Sequence, residues 1–241
     1  MTNTQEIQLL CSKLRLGSVI PELSKDLDDA SLRVLCDALR ATLAQRDTAT
    51  FLRRVKKSGL NADQTFESYE FGRFAFPVRV PQDDFLRLDF VRRRENVIMF
   101  GAPGTGKTHL ANATGIEACR QRLPVLFDNT SSFVARLVDA HRCNRQTELM
   151  RQINKVELLI LDEFGYVPID TIGAQLLFRV IGDFYEHKSI IITTNLLFSE
   201  WSQIFIDPKL TDAIVDRMVH HSHMIRFDCE SWRVKHSLMI Y

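Results

Sequence analysis

Apolar positions recur at helical spacing in the first part of the chain. The leucines with this spacing are Leu32, Leu35, Leu39 and Leu43. Intervals of three and four residues place them on one side of a helix, which predicts a buried helical face. We expect Pro21 to break this helix from the one before it. Residues 1–57 are therefore predicted to form a small N-terminal helical region.

The segment 58–83 differs in pattern. Glycine, asparagine, aspartate and proline interrupt a series of aromatic residues there: Phe66, Tyr69, Phe71, Phe74 and Phe76. The breakers argue against a long helix or strand, and the aromatic residues argue against a free tether. We predict a linker that packs on the following domain.

Short apolar runs separated by helix-length segments occupy residues 84–241. The predicted strands are Val97–Phe100, Val125–Phe127, Leu158–Leu161, Ile190–Ile192 and Met224–Phe227. Strands that alternate with helices favour right-handed crossovers and a mainly parallel sheet covered on both faces. The predicted fold class is α/β, with a five-stranded sheet in the domain 84–241.

Composition adds limits to this picture. The chain has 241 residues, 45% hydrophobic and 25% charged, which is typical of a soluble globular protein. The five cysteines are scattered and form no CxxC pair, so we expect reduced thiols and a cytoplasmic location. The longest apolar runs are far shorter than the ~20 residues of a membrane-spanning helix, so no membrane association is expected.

The net charge of +1 does not by itself indicate a nucleic-acid partner. Two local clusters of basic residues remain as candidates: Arg53, Arg54, Lys56 and Lys57, and then Arg92, Arg93 and Arg94. Each cluster is compatible with an ordinary solvated surface or with contacts to a DNA backbone.

A glycine-rich stretch follows the first predicted strand and opens a helix. It consists of Gly101, Ala102, Pro103, Gly104, Thr105, Gly106, Lys107 and Thr108, a full match to G-x-x-x-x-G-K-[ST]. Glycines allow backbone N–H groups to approach phosphate oxygens, and the helix adds its positive end. We expect Lys107 to bridge the β- and γ-phosphates of ATP and the Thr108 hydroxyl to hold Mg²⁺.

Two carboxylates end the third predicted strand. Asp162 and Glu163 follow the buried run Leu158–Leu161, at the edge where open α/β sheets bind ligands. We expect Asp162 to hold the same Mg²⁺ as Thr108. Glu163 is placed to activate a water for attack on the γ-phosphate.

Two further residues are candidates because of their order in the chain. Asn195 follows the fourth predicted strand and could hydrogen-bond both the water and the γ-phosphate, although asparagine is also an ordinary turn residue. Arg217 lies on a helical segment with Ile214 and Met218 on its buried side. It could pair with a nearby aspartate, or act as an arginine finger toward a neighbouring subunit.

Four motifs of the chain, in their order, resemble those of the AAA+ ATPases of the initiator type: GAPGTGKT, LLILDEFGYVP, IIITTN and AIVDRMVHH. They are most similar to the IstB-like proteins, which are ATPase helpers of a transposase in bacterial insertion sequences. The helicase loader DnaC is a better-known relative, but FGYVP and NLLFSEW favour the IstB-like group. The resemblance covers nearly the whole chain.

The resemblance implies a three-layer P-loop AAA+ domain that hydrolyses ATP with Mg²⁺. It makes Asn195 the sensor of the γ-phosphate, Arg217 the finger in trans and Arg233 a second sensor arginine. Trp232 stands where the family usually has tyrosine. The implied partners are double-stranded DNA, the cognate transposase and further copies of the chain.

Three other functions stay open on the residues alone. A helicase loader like DnaC would use ATP as a switch. A small-molecule kinase with a P-loop would need no water-activating Glu163. A metal site is conceivable around the residues His220, His221, His223, Cys229 and His236, although their spacing fits no standard zinc pattern.

Overall fold

The structure, a computed structural model, describes residues 2–205 and 208–235. It contains two compact units, Met1–Arg53 and Arg54–Tyr241. The first unit is helical, with the helices α1 (Asn3–Leu14), α2 (Val19–Leu23) and α3 (Asp29–Lys57) and a short 3₁₀ helix at Ser24–Asp26. The last residues of α3 belong to the second unit.

The leucine spacing in α3 correctly predicts a buried face. Leu32 and Leu39 are buried in a cluster with Ile7 and Leu10 of α1. The expectation for Pro21 is wrong, because this residue lies inside the first turn of α2. A proline is tolerated there since the N–H groups of a first turn have no partner within the helix. The preceding helix, α1, ends instead at Leu14, because the next residue, Arg15, has a left-handed backbone with a φ of 55°.

The second unit contains a five-stranded sheet in the order β2-β3-β4-β1-β5. Every neighbouring pair is parallel. The strands are β1 (Asn96–Gly101), β2 (Val125–Asn129), β3 (Leu158–Phe164), β4 (Ser189–Thr194) and β5 (Ser222–Phe227). All five predicted strands are confirmed, and each is longer in the structure.

Helices precede, connect and follow these strands. They are α4 (Gln82–Leu86), α5 (Asp89–Arg92), α6 (Lys107–Arg120), α7 (Thr130–Arg142), α8 (Gln146–Ile153), α9 (Thr171–Phe184), α10 (Pro208–His220) and α11 (Trp232–Lys235), with a 3₁₀ helix at Phe198–Gln203. Of the described residues, none belongs to a helix long and apolar enough to cross a bilayer.

Both faces of the sheet are covered, which confirms the three-layer architecture. Leu159 and Leu161 of β3 pack in one core cluster with α7, α9 and α10. Ile160, which lies between these two leucines in β3, points to the other face of the sheet and contacts α6. A Cβ atom added to Gly115 of α6 would lie 3.0 Å from the Cδ1 atom of Ile160. Burial on both faces explains why these strands have unbroken apolar sequences rather than an alternation of apolar and polar residues.

The aromatic residues of segment 58–83, which belongs to the second unit, contact the sheet and α6. The ring of Phe74 lies 4.4 Å from that of Phe227 at the end of β5. Tyr69 makes an edge contact with His109 of α6, with ring centroids 5.0 Å apart. The segment thereby lies next to the start of α6.

A candidate nucleotide site at the carboxyl edge of the sheet

The glycine-rich loop connects β1 to α6 and needs glycine at two positions. Gly104 and Gly106 have φ values of 77° and 101°, in the left-handed region that side chains disfavour. A Cβ at Gly104 would overlap the Oγ atom of Ser231. α6 begins at Lys107, so the unpaired N–H groups of its first turn face the loop. This arrangement can bind an anion.

Lys107 lies against the loop that it belongs to. Its ammonium donates hydrogen bonds to the carbonyl oxygens of Gly101 and Ala102, at 2.6 and 2.7 Å. Burial lowers the pKa of Lys107, and the nearby carboxylate of Asp162 acts in the opposite direction. The lysine charge is therefore held at the loop, beside a cavity of about 520 Å³ that Tyr69 and Arg233 also line.

Asp162 joins the loop to the sheet. It lies in β3 and is 7% exposed. The Thr108 hydroxyl donates to both of its carboxylate oxygens, at 3.0 and 3.1 Å. The Thr193 hydroxyl of β4 donates to its Oδ1 atom at 2.5 Å. Burial raises the pKa of Asp162, and the hydrogen bonds from Thr193 and Thr108 lower it. A hydroxyl and a carboxylate side by side are oxygen ligands of the kind that Mg²⁺ takes, so the residues fit this ion.

Glu163 is turned away from the sheet by an irregularity in β3. The pairing of β3 with β4 shifts register between Leu161 and Phe164, and Glu163 has a φ of 55°. Its backbone N–H donates to the Thr193 hydroxyl at 3.0 Å. The side chain is exposed and accepts a hydrogen bond of 2.5 Å from the amide of Asn129. Adjacent residues of one strand thus point to different surroundings.

Asn129 and Thr193 are site residues that the sequence analysis missed. Asn129 ends β2 and is the register partner of Asp162. Thr193 contacts Asp162 from the other neighbouring strand. Both follow predicted apolar strands, the same signal that identified Asp162. Their partners, however, depend on the strand order β2-β3-β4, which no local motif specifies.

The remaining predicted site residues differ in their surroundings. Asn195 is exposed, one residue beyond β4. In α11, Arg233 lines the cavity beside the loop, and the N–H of Trp232 donates to the Gly104 oxygen at 2.8 Å. Arg217 of α10 lies over the ring of Phe178 in α9, 4.3 Å from its centroid. The structure therefore gathers Lys107, Thr108, Asp162 and Glu163 and holds Arg217 against α9.

Replacing Asp162 with asparagine is expected to stabilise the nucleotide-free protein at pH 8. The folded-state pKa of Asp162 lies above its unfolded value, so folding with the ionised form costs free energy at high pH. This cost vanishes as pH falls toward the unfolded value of about 3.9. Asparagine keeps the shape without the charge. The thermal midpoint should rise by roughly 2–4 °C, corresponding to about 1 kcal/mol.

Differential scanning fluorimetry in EDTA between pH 4 and pH 8 measures this effect, and the advantage of the Asp162→Asn variant should shrink at the acid end, where pH falls through the raised pKa of Asp162 toward its unfolded value. Asp139→Asn is the control, because Asp139 is an exposed carboxylate on α7 and should leave the midpoint unchanged. A lower midpoint for Asp162→Asn at pH 8 would mean that the missing hydrogen bonds outweigh the cost of the buried charge.

Comparisons with known proteins agree with this geometry. The family described as IstB-like ATP binding protein matches residues 13–239. The ATP-binding protein of insertion sequence IS21 from Pseudomonas aeruginosa is 35% identical over 236 residues, which cover 95% of this chain and 89% of that protein.

Two solved structures share the fold. Replication initiator DnaA, bound to AMPPCP and single-stranded DNA, has a TM-score of 0.59 at 21% identity and covers 73% of this chain and 53% of its own. The DnaC helicase loader has a TM-score of 0.52 at 19% identity, covering 68% of this chain and 97% of its own. At such identities the likeness concerns the fold alone. Since the family match spans nearly the whole sequence, the chain belongs to the IstB-like ATP-binding proteins of insertion sequences.

Proposed function

We propose that this protein is a Mg²⁺-dependent ATPase that assembles on double-stranded DNA and recruits or activates the transposase of its insertion sequence. The observation that carries the proposal is the contact of Thr108 with Asp162, beside Glu163 and its partner Asn129. A protein that binds ATP without hydrolysing it needs only the pair of Thr108 and Asp162. A second carboxylate, exposed and held by an amide, supports hydrolysis.

The residues of the site have separate tasks in this proposal. Lys107 binds phosphate oxygens, and Thr108 and Asp162 hold Mg²⁺, which when bound offsets the charge of the phosphates. Glu163 accepts a proton from the attacking water. Asn129 positions Glu163, and Asn195 and Arg233 contact the phosphates. The ATPase domain is proposed to comprise residues 84–241, with 58–83 as its linker.

DNA binding is proposed for the first basic cluster. Arg54 and Lys57 line a surface cavity of about 610 Å³ beside β2, together with the basic residues Arg122, Arg136 and Lys155. Arg136 is paired with Asp128 at 2.9 Å. The second cluster is largely compensated, because Arg92 pairs with Asp89 and Arg93 with Glu95, at 2.9 and 2.8 Å. More positive charge is therefore available for DNA phosphates along the cavity lined by Arg54 and Lys57 than at the cluster of residues 92–94.

A triple variant, Arg54→Ala with Lys57→Ala and Lys155→Ala, should weaken duplex binding equally for unrelated sequences. The slope of log K against log salt should flatten by about 0.9 for each phosphate that the variant no longer neutralises. Fluorescence anisotropy at several salt concentrations measures both. The triple variant Arg92→Ala with Arg93→Ala and Arg94→Ala removes the same number of charges, is the matched control and should retain most of the slope. Equal effects of the two variants would contradict the assignment.

The experiment that tests the function as a whole measures ATP turnover with and without duplex DNA, alongside light scattering. We expect DNA to raise turnover together with the appearance of oligomers. Co-purification with the transposase of the same element, rather than with a replicative helicase, is expected from the family membership. Turnover that responds only to a small hydroxyl acceptor would instead identify a kinase.

A further inference from the structure

A cluster of possible metal ligands lies away from the nucleotide site, where α9 and α10 end. Glu186 follows α9, His220 is the last residue of α10 and His221 comes next. One ligand atom from each lies within 4.8 Å of the others. Glu186 and His220 are exposed and His221 is half-buried, so an ion can reach all three from solvent.

The spacing of these groups fits a tetrahedral ion. The Nε2 atom of His221 lies 3.1 Å from the Oε1 atom of Glu186. Two ligands at about 2.0–2.1 Å from a tetrahedral Zn²⁺ are roughly 3.3 Å apart. Small side-chain rotations would place all three ligands around one ion. A hydrogen bond between Glu186 and His221 accounts for one of these distances, and the ligand atom of His220 lies within 4.8 Å of the ligand atoms of both.

Tyr185 supports the same interpretation. Its hydroxyl lies 2.9 Å from the Nδ1 atom of His220. When Nδ1–H donates to the phenol oxygen, the Nε2 atom carries the free lone pair that a metal needs. Histidine ligands of metals commonly have such a partner on their other nitrogen. In addition, His220 ends α10, where the negative end of the helix favours a cation.

We propose that Glu186, His220 and His221 bind one Zn²⁺ ion, with water as the fourth ligand. Two imidazoles and a carboxylate are ligands that zinc accepts readily. The ion fastens the turn after α9 to the end of α10. Arg217 lies one helical turn earlier on α10 and contacts Phe178 of α9, so the ion would stabilise the helix pair that carries this arginine.

Of the possible metal ligands predicted from the sequence, only His220 and His221 belong to this site. The Nε2 atom of His223 lies 3.0 Å from the Oε2 atom of Glu95. Cys229 lies 3.8 Å from the Thr105 oxygen, beside the phosphate loop. His236 lies outside the described residues. The third ligand, Glu186, was missed because it is 34 positions before His220 in the sequence.

The test uses the untagged full chain, stripped of metal, without ATP or Mg²⁺. Isothermal titration with ZnCl₂ should give one saturable site. Glu186→Gln, His220→Ala and His221→Ala should each weaken it at least roughly tenfold, and Tyr185→Phe by about tenfold. His187→Ala is the matched control, because His187 is exposed on the same turn and should leave the affinity unchanged.

Titration with Co²⁺ separates this site from the cysteines. We expect visible bands of a tetrahedral nitrogen and oxygen site without a thiolate charge-transfer band. Each variant is first compared with the wild type by circular dichroism in EDTA, and zinc affinities are compared only among the variants that fold. Absence of saturable binding, thiolate bands, or equal weakening by His187→Ala would overturn the proposal.

Discussion

Replacing Glu163 with glutamine is expected to preserve ATP binding and to lower turnover by roughly 10²–10⁴-fold, the usual contribution of a general base. The structure separates this residue from the metal-binding carboxylate. Glu163 is exposed and contacts Asn129, whereas Asp162 is buried among threonine hydroxyls. Glutamine keeps the length of the side chain and can still contact Asn129, so the nucleotide pocket should remain intact. The variant should accumulate with ATP bound.

Nucleotide affinity and single-turnover hydrolysis, measured on the same preparation, check this expectation. Glu157→Gln is the control, because Glu157 immediately precedes β3, at the other end of this strand, and should not affect either quantity. Asn129→Ala should lower turnover less than Glu163→Gln does, since it frees Glu163 without removing it. If Glu163→Gln lost ATP binding together with turnover, Glu163 would belong to the metal site or to the fold.

The elements that could be predicted from the sequence are those specified locally. The loop 101–108 and the pair Asp162–Glu163 were found because their chemistry lies in consecutive residues next to a recognisable strand. The five strands were found because burial on both faces removes polar residues from them. In both cases the physical cause acts within a few residues of the chain.

The parts that could not be predicted depend on contacts between distant segments. Asn129 and Thr193 reach Glu163 and Asp162 only because β2 and β4 flank β3. The left-handed backbone of Glu163 follows from a register shift that the sequence does not reveal. Likewise, the basic cluster at 92–94 differs from that at 53–57 through ion pairs that only the structure locates.

Replacing Arg217 with alanine should leave ATP binding nearly normal and lower turnover on the order of 10³–10⁵-fold, about 4–7 kcal/mol of barrier. Within its own subunit, Arg217 stacks on Phe178 and its Nη1 atom lies near Gly182 of α9. The side chain is half-buried. Because Arg217 contacts α9 and is not among the residues that line the cavity beside the phosphate loop, we propose that its nucleotide contact is made across an interface, in the loop of a neighbouring copy.

The contact with Phe178 calls for a control, since a cation–π pair contributes about 0.5–2 kcal/mol to stability. Phe178→Leu removes the ring and keeps the arginine. If Arg217 acts only by holding α10 on α9, then Phe178→Leu and Arg217→Ala should lower turnover to a similar extent. If Arg217 acts on phosphate, Phe178→Leu should retain most of the activity. Thermal midpoints of both variants show whether either loses its fold.

Mixing two inactive variants separates action in trans from action within one subunit. Lys107→Ala should abolish nucleotide binding but keep an intact Arg217, while Arg217→Ala keeps an intact pocket. In a mixed assembly, an Arg217→Ala pocket can face the arginine of a Lys107→Ala neighbour, so part of the turnover should return. Recovery should rise and then fall as the proportion changes, since each active interface needs one copy of both kinds. Mixtures that co-assemble by light scattering yet stay inactive at every proportion would place the action of Arg217 within its own subunit.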